Sequence, residues 1–469
     1  MRKALICSGL VTLYLIGCGG GLTQNSSAAS DTRVTQAAPV HHVQRKAGAP
    51  DLNEHAPSSM GTPASVFLNA VSLANAKEKI RASSDLFDLQ NQQVQSRAAK
   101  AANMELKPFR MDNIRDIVFG WCQRVDYTRF DTLKEATEKF QTDSDHIRSL
   151  ALNFVLNGVR AHGDKAVKMM ESYGLGQSLV NLHDLDVNYQ QATLLGRADP
   201  RYCDELPWNF ALDAMWQSYG LINIADAYLL LKSGGYTLSD SQDAALREWI
   251  LKTTEAVNAS FHAWTRWADL HPNSRAYRRY RSDNHLSWAL LGLLAAATAL
   301  QDDALAHYVL QGGTWTDRRS GSYKNPSSIR QLIDLAIASD GMIYEEEINR
   351  DPPIGYSLFH LWPMTMIAHI ANLHYDDNLW EYRGKDGAGL YQAYQRYADF
   401  LLGQTRSPLP KETASSLLSN YGWLFQFAAI QWGDKKFNDV LEKTNRNKWI
   451  IQGPGPVLLI IQSDADKNP

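Results

Sequence analysis

Two stretches of the chain carry residues that could do chemistry. The first is YRRYRSDNHLSWALLGLLAAATAL, residues 277–300. Arg275, Arg278, Arg279 and Arg281 fall within seven residues, with Tyr277 and Tyr280 between them. Planar guanidinium forks suit carboxylates and phosphates. Any one of these arginines also fits an ordinary solvated loop. Asn284 and His285 then stand at the mouth of a long apolar helix, where Asn is a good N-cap and His a good hydrogen-bonder. Trp288 follows three residues later, on roughly the same helical side. The second stretch is DGMIYEEEINRDPPIGYSLFHLWPMTMIAHIA, residues 340–371. Glu345, Glu346 and Glu347 are followed by Arg350, and Pro352-Pro353 argue against a helix there. Tyr356 and His360 then open another apolar helix. A phenol has an ordinary pKa near 10, so it donates a proton at neutral pH, and nearby positive charge lets it accept one.

Positioning such groups needs a large scaffold, and 469 residues can bury one. Hydrophobic residues make up 44% and charged residues 21%, as in a soluble globular protein. The net charge of −3 excludes a bulk attraction for polyanions, so affinity for an acidic partner must come from local clusters. Thirteen Trp and twenty Tyr suit sugar rings and ordinary cores alike.

The N-terminus indicates export. Met1-Arg2-Lys3 is basic, and Ala4 to Ile16 is apolar but too short to span a bilayer, the pattern of a signal peptide. It ends Leu15-Ile16-Gly17-Cys18, which resembles the bacterial lipobox. The resemblance implies cleavage before Cys18 and acylation of that cysteine. Gly19 at the next position implies a periplasmic protein anchored at the outer membrane. Residues 1–18 are thus the signal and residues 19–63, rich in Ser, Ala, Gln, Gly and Pro, a flexible tether. Of four cysteines, Cys122 and Cys203 remain for the folded part, and no metal-binding spacing occurs. No metal and no cofactor are expected. An exported context also argues against nucleic acid as a partner of the arginine-tyrosine run.

Residues 64–469 read as one helical domain. In SDHIRSLALNFVLNGV, Ile147, Leu150, Ala151 and Phe154 share a face, and Asp143, Ser144 and Asp145 offer caps at its start. MWQSYGLINIADAYLLLKSGG is a second helix, stopped by Gly234-Gly235, and residues 243–267 form a third with Trp249, Val257, Phe261 and Trp264 apolar. LSWALLGLLAAATAL is apolar nearly all round, so it is buried on most sides. VLLII near the end is the best strand. No fixed repeat is visible, which leaves an all-α open superhelix or an α/α toroid.

Asn284-His285 with Trp288 and an alanine-rich helix is similar to the NNHSYWA-type motif of the bacterial alginate lyases. Asp340-Gly341-Met342-Ile343 with Glu346, then Tyr356 ahead of Pro363-Met364-x-Met366-Ile367-Ala368, resembles that family's NGFLPNE…AYHNYxLPPLxMIA stretch. AMWQSYGLINIADAYLLLK, the opening from Val66 and YGWLFQFAAI resemble the family's other helices. The resemblance implies the α/α toroid, and β-elimination on a uronic-acid polymer such as alginate. It implies that Asn284 and His285 neutralise the uronate carboxylate, with His285 able to share the base role. Tyr356 would be the acid, and the base when both atoms leave one face. An arginine would complete the neutralisation: Arg350, beside Asn349 at the family's arginine position, or Arg281. Arg278, Arg281 and Trp288 would bind the anionic chain. The sequence departs from the family in Asp283 ahead of Asn284-His285, in Leu286 after them, in INRDPP, and in a longer TWTDRRSGSYKNPSS segment. Two other functions use the same cleft. One is a tethered, non-catalytic polysaccharide-binding or export-assembly protein. The other is a glycoside hydrolase drawing a carboxylate pair from Glu345 to Glu347.

Overall fold

The computed structural model describes residues 63–82, 85–105, 127–175, 206–270, 281–317, 321–325, 327–445 and 448–456. All of them fall in one compact unit, Ser59–Pro469. The signal and lipobox, nearly all of the tether, Arg278, Cys122, Cys203 and VLLII lie outside the described residues.

The fold is built from helices in two layers. The long ones are α1 (Ala70–Arg81), α2 (Asp85–Ala102), α3 (Tyr127–Asn157), α4 (Arg160–Leu175), α5 (Leu206–Ser233), α6 (Asp240–Leu270) and α7 (Asn284–Leu300). Helix α8 (Asp303–Leu310) precedes a hairpin, β1 (Thr314–Asp317) and β2 (Gly321–Lys324), paired Thr314 to Lys324. Then come α9 (Ile329–Ala336), α10 (Tyr344–Asn349), α11 (Pro353–His374), α12 (Leu390–Leu401), α13 (Ala414–Tyr421), α14 (Phe425–Trp432), α15 (Lys435–Glu442) and a short ladder of β3 (Trp449–Ile450) with β4 (Gly455–Pro456).

Hydrophobic patterning decides the layer. Helix α7 is buried at every position and α5 is buried without a break from Ala214 to Leu231, as sequences without a polar face must be. These two pack together, α5 also packs on α3, and α7 on α11, which makes an inner course of helices. Helices α4 and α6 keep polar faces and lie outside. Gly292 permits the α5–α7 contact, because a Cβ there would sit 2.6 Å from Ser218. This alternation of inner and outer helices is the α/α toroid, one of the two architectures the periodicity allowed.

Two local readings are corrected. Asp143, Ser144 and Asp145 do not cap a helix start; they lie buried in the middle of α3, which begins sixteen residues earlier at Tyr127. Asp143 there accepts from Lys139 and Tyr173, which satisfies it. Pro352-Pro353 do not exclude a helix: Pro353 is the first residue of α11, where a missing N–H costs nothing. Within the long TWTDRRSGSYKNPSS segment, Thr314–Asp317 and Gly321–Lys324 pair as the β1–β2 hairpin. The face of Ile147, Leu150, Ala151 and Phe154 is buried, as are Trp249, Val257 and Phe261. The Gly234-Gly235 stop is a left-handed turn at Gly235 (φ 77°), with the Tyr236 amide bonded back to Leu231.

Candidate active site

Three chain segments meet at one end of the inner helices: the start of α7, helix α10, and the start of α11. The cap of α7 is Asp283, not Asn284. Its extended backbone (φ −97°, ψ 174°) lets Oδ1 accept the His285 amide at 3.0 Å, while Oδ2 lies 3.1 Å from His285 Nδ1. A carboxylate cannot donate, so Nδ1 carries the proton of the neutral ring and Nε2 keeps the lone pair. Asp283 thus prepares the imidazole as a proton acceptor. The departure from an Asn-Asn-His pattern therefore places a charge, rather than an amide, behind His285.

Asn284 is held by Glu346, whose Oε1 accepts both its backbone amide (2.6 Å) and its Nδ2 (2.8 Å). Glu346 lies on α10, and its Oε2 accepts Nε of Arg350 at 3.3 Å. Burial pushes the Glu346 carboxyl above the usual carboxylate range; Arg350 pulls it down, Asp283 pushes it further up, and the two Asn284 bonds lower it again. Arg350 is the bridge of the site. Its side chain is only 6% exposed, its Nη2 is 3.7 Å from Asp283, and its guanidinium lies over the Tyr356 ring, 5.2 Å from the centroid. One cation therefore lies near both Asp283, the partner of His285, and the Tyr356 phenol ring. Asn349, at the aligned arginine position, turns away and donates to Glu345.

Tyr356 stands in the first turn of α11, partly exposed, with its amide donating to Pro352. His360 follows one turn later. It is more than a local cap: its ring is wholly buried, with Nδ1 3.6 Å from Glu346. Burial drives its pKa down to about 3, so the ring is neutral.

Two supports hold α10 in place. Gly341 turns ahead of it with φ +83°, and a Cβ would meet the Gln392 carbonyl of α12 at 2.1 Å. Tyr397 of α12 accepts the Ile343 amide and donates to Glu347, which also takes Arg396. The three glutamates therefore face three ways: Glu345 to Asn349, Glu346 into the site, and Glu347 to α12. They do not form the facing carboxylate pair a glycoside hydrolase needs.

Trp288 is 0% exposed and packs edge-on against Tyr219 (centroids 4.7 Å apart) and Trp362 (5.1 Å). It supports the site floor from below, since its indole reaches no surface at which a polymer could lie. Arg281 is partly exposed, and its carbonyl accepts from Ser327, just past the hairpin. Sequence reasoning undervalued Asp283, Glu346 and His360. The signal for them was present: ionisable residues beside or within the apolar helices α7 and α11, and in the acidic run just before α11. Among the described residues, no group of His, Cys, Asp and Glu could hold a metal ion.

A helical toroid with an imidazole, an amide, a guanidinium and a phenol gathered at one end of its inner helices defines a polysaccharide-lyase scaffold. The chain belongs to the alginate lyase family, whose model matches residues 73–407. It is a polysaccharide lyase by that membership. Its fold is similar to that of alginate lyase A1-III from Sphingomonas species A1, at 12% identity with a TM-score of 0.50, covering 85% of this chain and 96% of that one. A His-to-Ala variant of that enzyme complexed with tetrasaccharide matches at 12% identity with a TM-score of 0.53, covering 85% of this chain and 94% of that one. A Tyr-to-Phe variant, also complexed with tetrasaccharide, gives 12% and 0.52, covering 84% of this chain and 96% of that one. No curated protein matches the chain by sequence.

Proposed function

We propose that this lyase cleaves alginate or a closely related uronic-acid polymer by β-elimination at the Arg350-bridged cluster. The C5 proton of a uronate is weakly acidic, so its carboxylate must be neutralised before an enolate-like intermediate can form. The Asn284 amide and the Arg350 guanidinium supply that neutralisation, with His285 beside them. The phenol of Tyr356 protonates the departing O4. It also removes the C5 proton when both leave the same face, and His285 Nε2 serves as the base when they do not. The observation that carries this reading is that Arg350 lies 3.7 Å from Asp283, the partner of His285, and 5.2 Å from the centroid of the Tyr356 ring. The tetrasaccharide complexes of alginate lyase A1-III support an oligosaccharide in the cleft of this fold.

The test incubates the protein with mannuronan, guluronan and other polyuronates while following the ultraviolet absorbance of new C4–C5 double bonds. Absorbance rising with reducing ends supports elimination. Reducing ends without absorbance mean hydrolysis, and neither signal leaves a binding protein.

The basic-apolar start ending in Cys18 supports a companion reading, an exported enzyme held in the periplasm by acyl chains at the outer membrane. In a membrane fractionation, Cys18→Ala should move the protein to the soluble fraction; retention in the membrane would refute the anchor.

A further inference from the structure

Helix α11, which presents Tyr356, starts with no cap of its own. Pro352 is the N-cap residue and offers no side-chain bond, and neither Pro352 nor Pro353 has an amide proton. The Tyr356 amide is satisfied by Pro352. That leaves the Ile354 and Gly355 amides as orphan donors of the first turn. Both are taken by Glu412, nearly sixty residues further along the chain. Oε1 accepts the Gly355 amide at 2.6 Å and Oε2 accepts Ile354 at 3.3 Å. Glu412 is only 9% exposed and is fixed in turn: Ser407 Oγ donates to Oε2 at 2.5 Å, and the Glu412 amide donates to Leu409. Gly355 leaves just enough room, since a Cβ there would lie 3.0 Å from Glu412 Oε1. The next residue is Tyr356. Tyr421, at the far end of α13, completes the neighbourhood: burial, then the charges of Glu412 and Tyr356, push its phenol up. Glu412 lies beyond the stretch matched by the family model, which ends at residue 407.

We infer that Glu412 is a positioning residue for Tyr356: a remote N-cap whose carboxylate fixes the first turn of α11 and so the place where the phenol meets the sugar. The inference rests on the reading of Tyr356 as the acid and base. A carboxylate also complements the positive end of the helix, so it holds the turn more firmly than a neutral cap. Displacing a catalytic group by about 1 Å costs on the order of 100-fold in rate. Substrate affinity, carried by other groups, should change little.

The experiment measures kcat, KM and melting temperature for the wild type, Glu412→Ala, Glu412→Gln and Glu412→Asp on the polyuronate the wild type cleaves best, well below every melting temperature. Glu412→Ala should lose about 10- to 100-fold in kcat with KM within about threefold. Glu412→Gln should recover much of that loss, because its amide oxygen still accepts the Gly355 amide. Glu412→Asp, which keeps the charge but pulls it back from the amides, should fall between them and serves if the alanine variant does not fold. In a Tyr356→Phe background the Glu412→Ala loss should vanish. An unimpaired kcat in folded Glu412→Ala or Glu412→Asp would overturn the inference, and so would an undiminished loss in the Tyr356→Phe background. A wild type that makes no unsaturated product from any polyuronate would instead sink the assignment of Tyr356 itself.

Discussion

Arg148 and Arg350 are both arginines buried in this molecule, and they are buried for different ends. Arg148, 0% exposed on α3, donates to Asp145 at 2.7 Å and to the carbonyls of Ile450 and Ile451. Asp145 also takes the Trp449 indole at 2.9 Å and Arg97 at 3.0 Å, and Arg97 covers the Trp449 ring. This cluster fastens the last described hairpin to a helix some three hundred residues earlier, through one carboxylate and two backbone carbonyls. Arg350 instead faces two carboxylates, Asp283 and Glu346, and its stacking partner Tyr356 reaches the surface. A buried cation that ties a buried carboxylate to two backbone carbonyls is a staple. A buried cation among titratable groups, with one partner exposed, can meet an incoming charge. The difference lies in what surrounds the guanidinium rather than in its burial.

Substitutions can break this contrast, and the largest effect belongs to the phenol. Tyr356→Phe should lower kcat by about 1000-fold or more, within the range for a positioned general acid–base group, with no change in melting temperature. Steady-state ultraviolet assays check it, and retained turnover would remove Tyr356 from the chemistry. The two arginines should then part company. Arg148→Met should cost about 3–5 kcal/mol of stability by leaving Asp145 buried with less compensation, while kcat per folded molecule holds. Arg350→Met should lose about 100-fold or more in kcat/KM, since a preorganised charge facing a developing anion is worth on the order of 3 kcal/mol or more. Urea melts beside kinetics separate the pair; equal losses of stability with equal kinetics would erase the distinction.

A smaller effect tests the opposite end of α11 from Tyr356. His374 donates to the Val66 carbonyl at 3.0 Å, as His369 does to Phe67, while Asp226 accepts from Ser65 and the Val66 amide. These bonds clasp the segment at 65–67 onto α5 and α11. Burial lowers the His374 pKa to about 4, so the folded ring stays neutral where the unfolded one charges. Its stabilising contribution is therefore full above about pH 6.5 and is lost as pH falls toward 4. Between pH 6.5 and 5 the wild type should lose about 2 kcal/mol more than His374→Gln, which keeps a donor but cannot titrate. Urea melts at the two pH values measure the difference, and parallel losses would place the clasp elsewhere.

Much of this was legible in the sequence, for physical reasons. Helices α5 and α7 lack a polar face, so burial on all sides was forced. Asn284, His285 and Tyr356 stand in the first turns of apolar helices and Arg350 just ahead of one, where backbone geometry changes and side chains can converge. Other features were hidden. Asp143, Ser144 and Asp145 resemble caps because their side chains bond backbone; only tertiary partners such as Tyr173 and Arg148 reveal a buried polar layer inside α3. Trp288 has the chemistry of a sugar platform, and its burial against Tyr219 and Trp362 depends on distant helices. Glu412 carries no local signal, since its role arises from two amides that Pro352 and Pro353 leave uncapped far away in the chain.

The central claim is that His285 and Tyr356 act as one unit across Arg350. A double-mutant cycle on kcat/KM tests it most directly, with His285→Ala, Tyr356→Phe and the pair assayed on one polyuronate. Groups serving a single transition state predict a double variant little slower than the worse single one. Losses that simply multiply would mean that the imidazole and the phenol work independently.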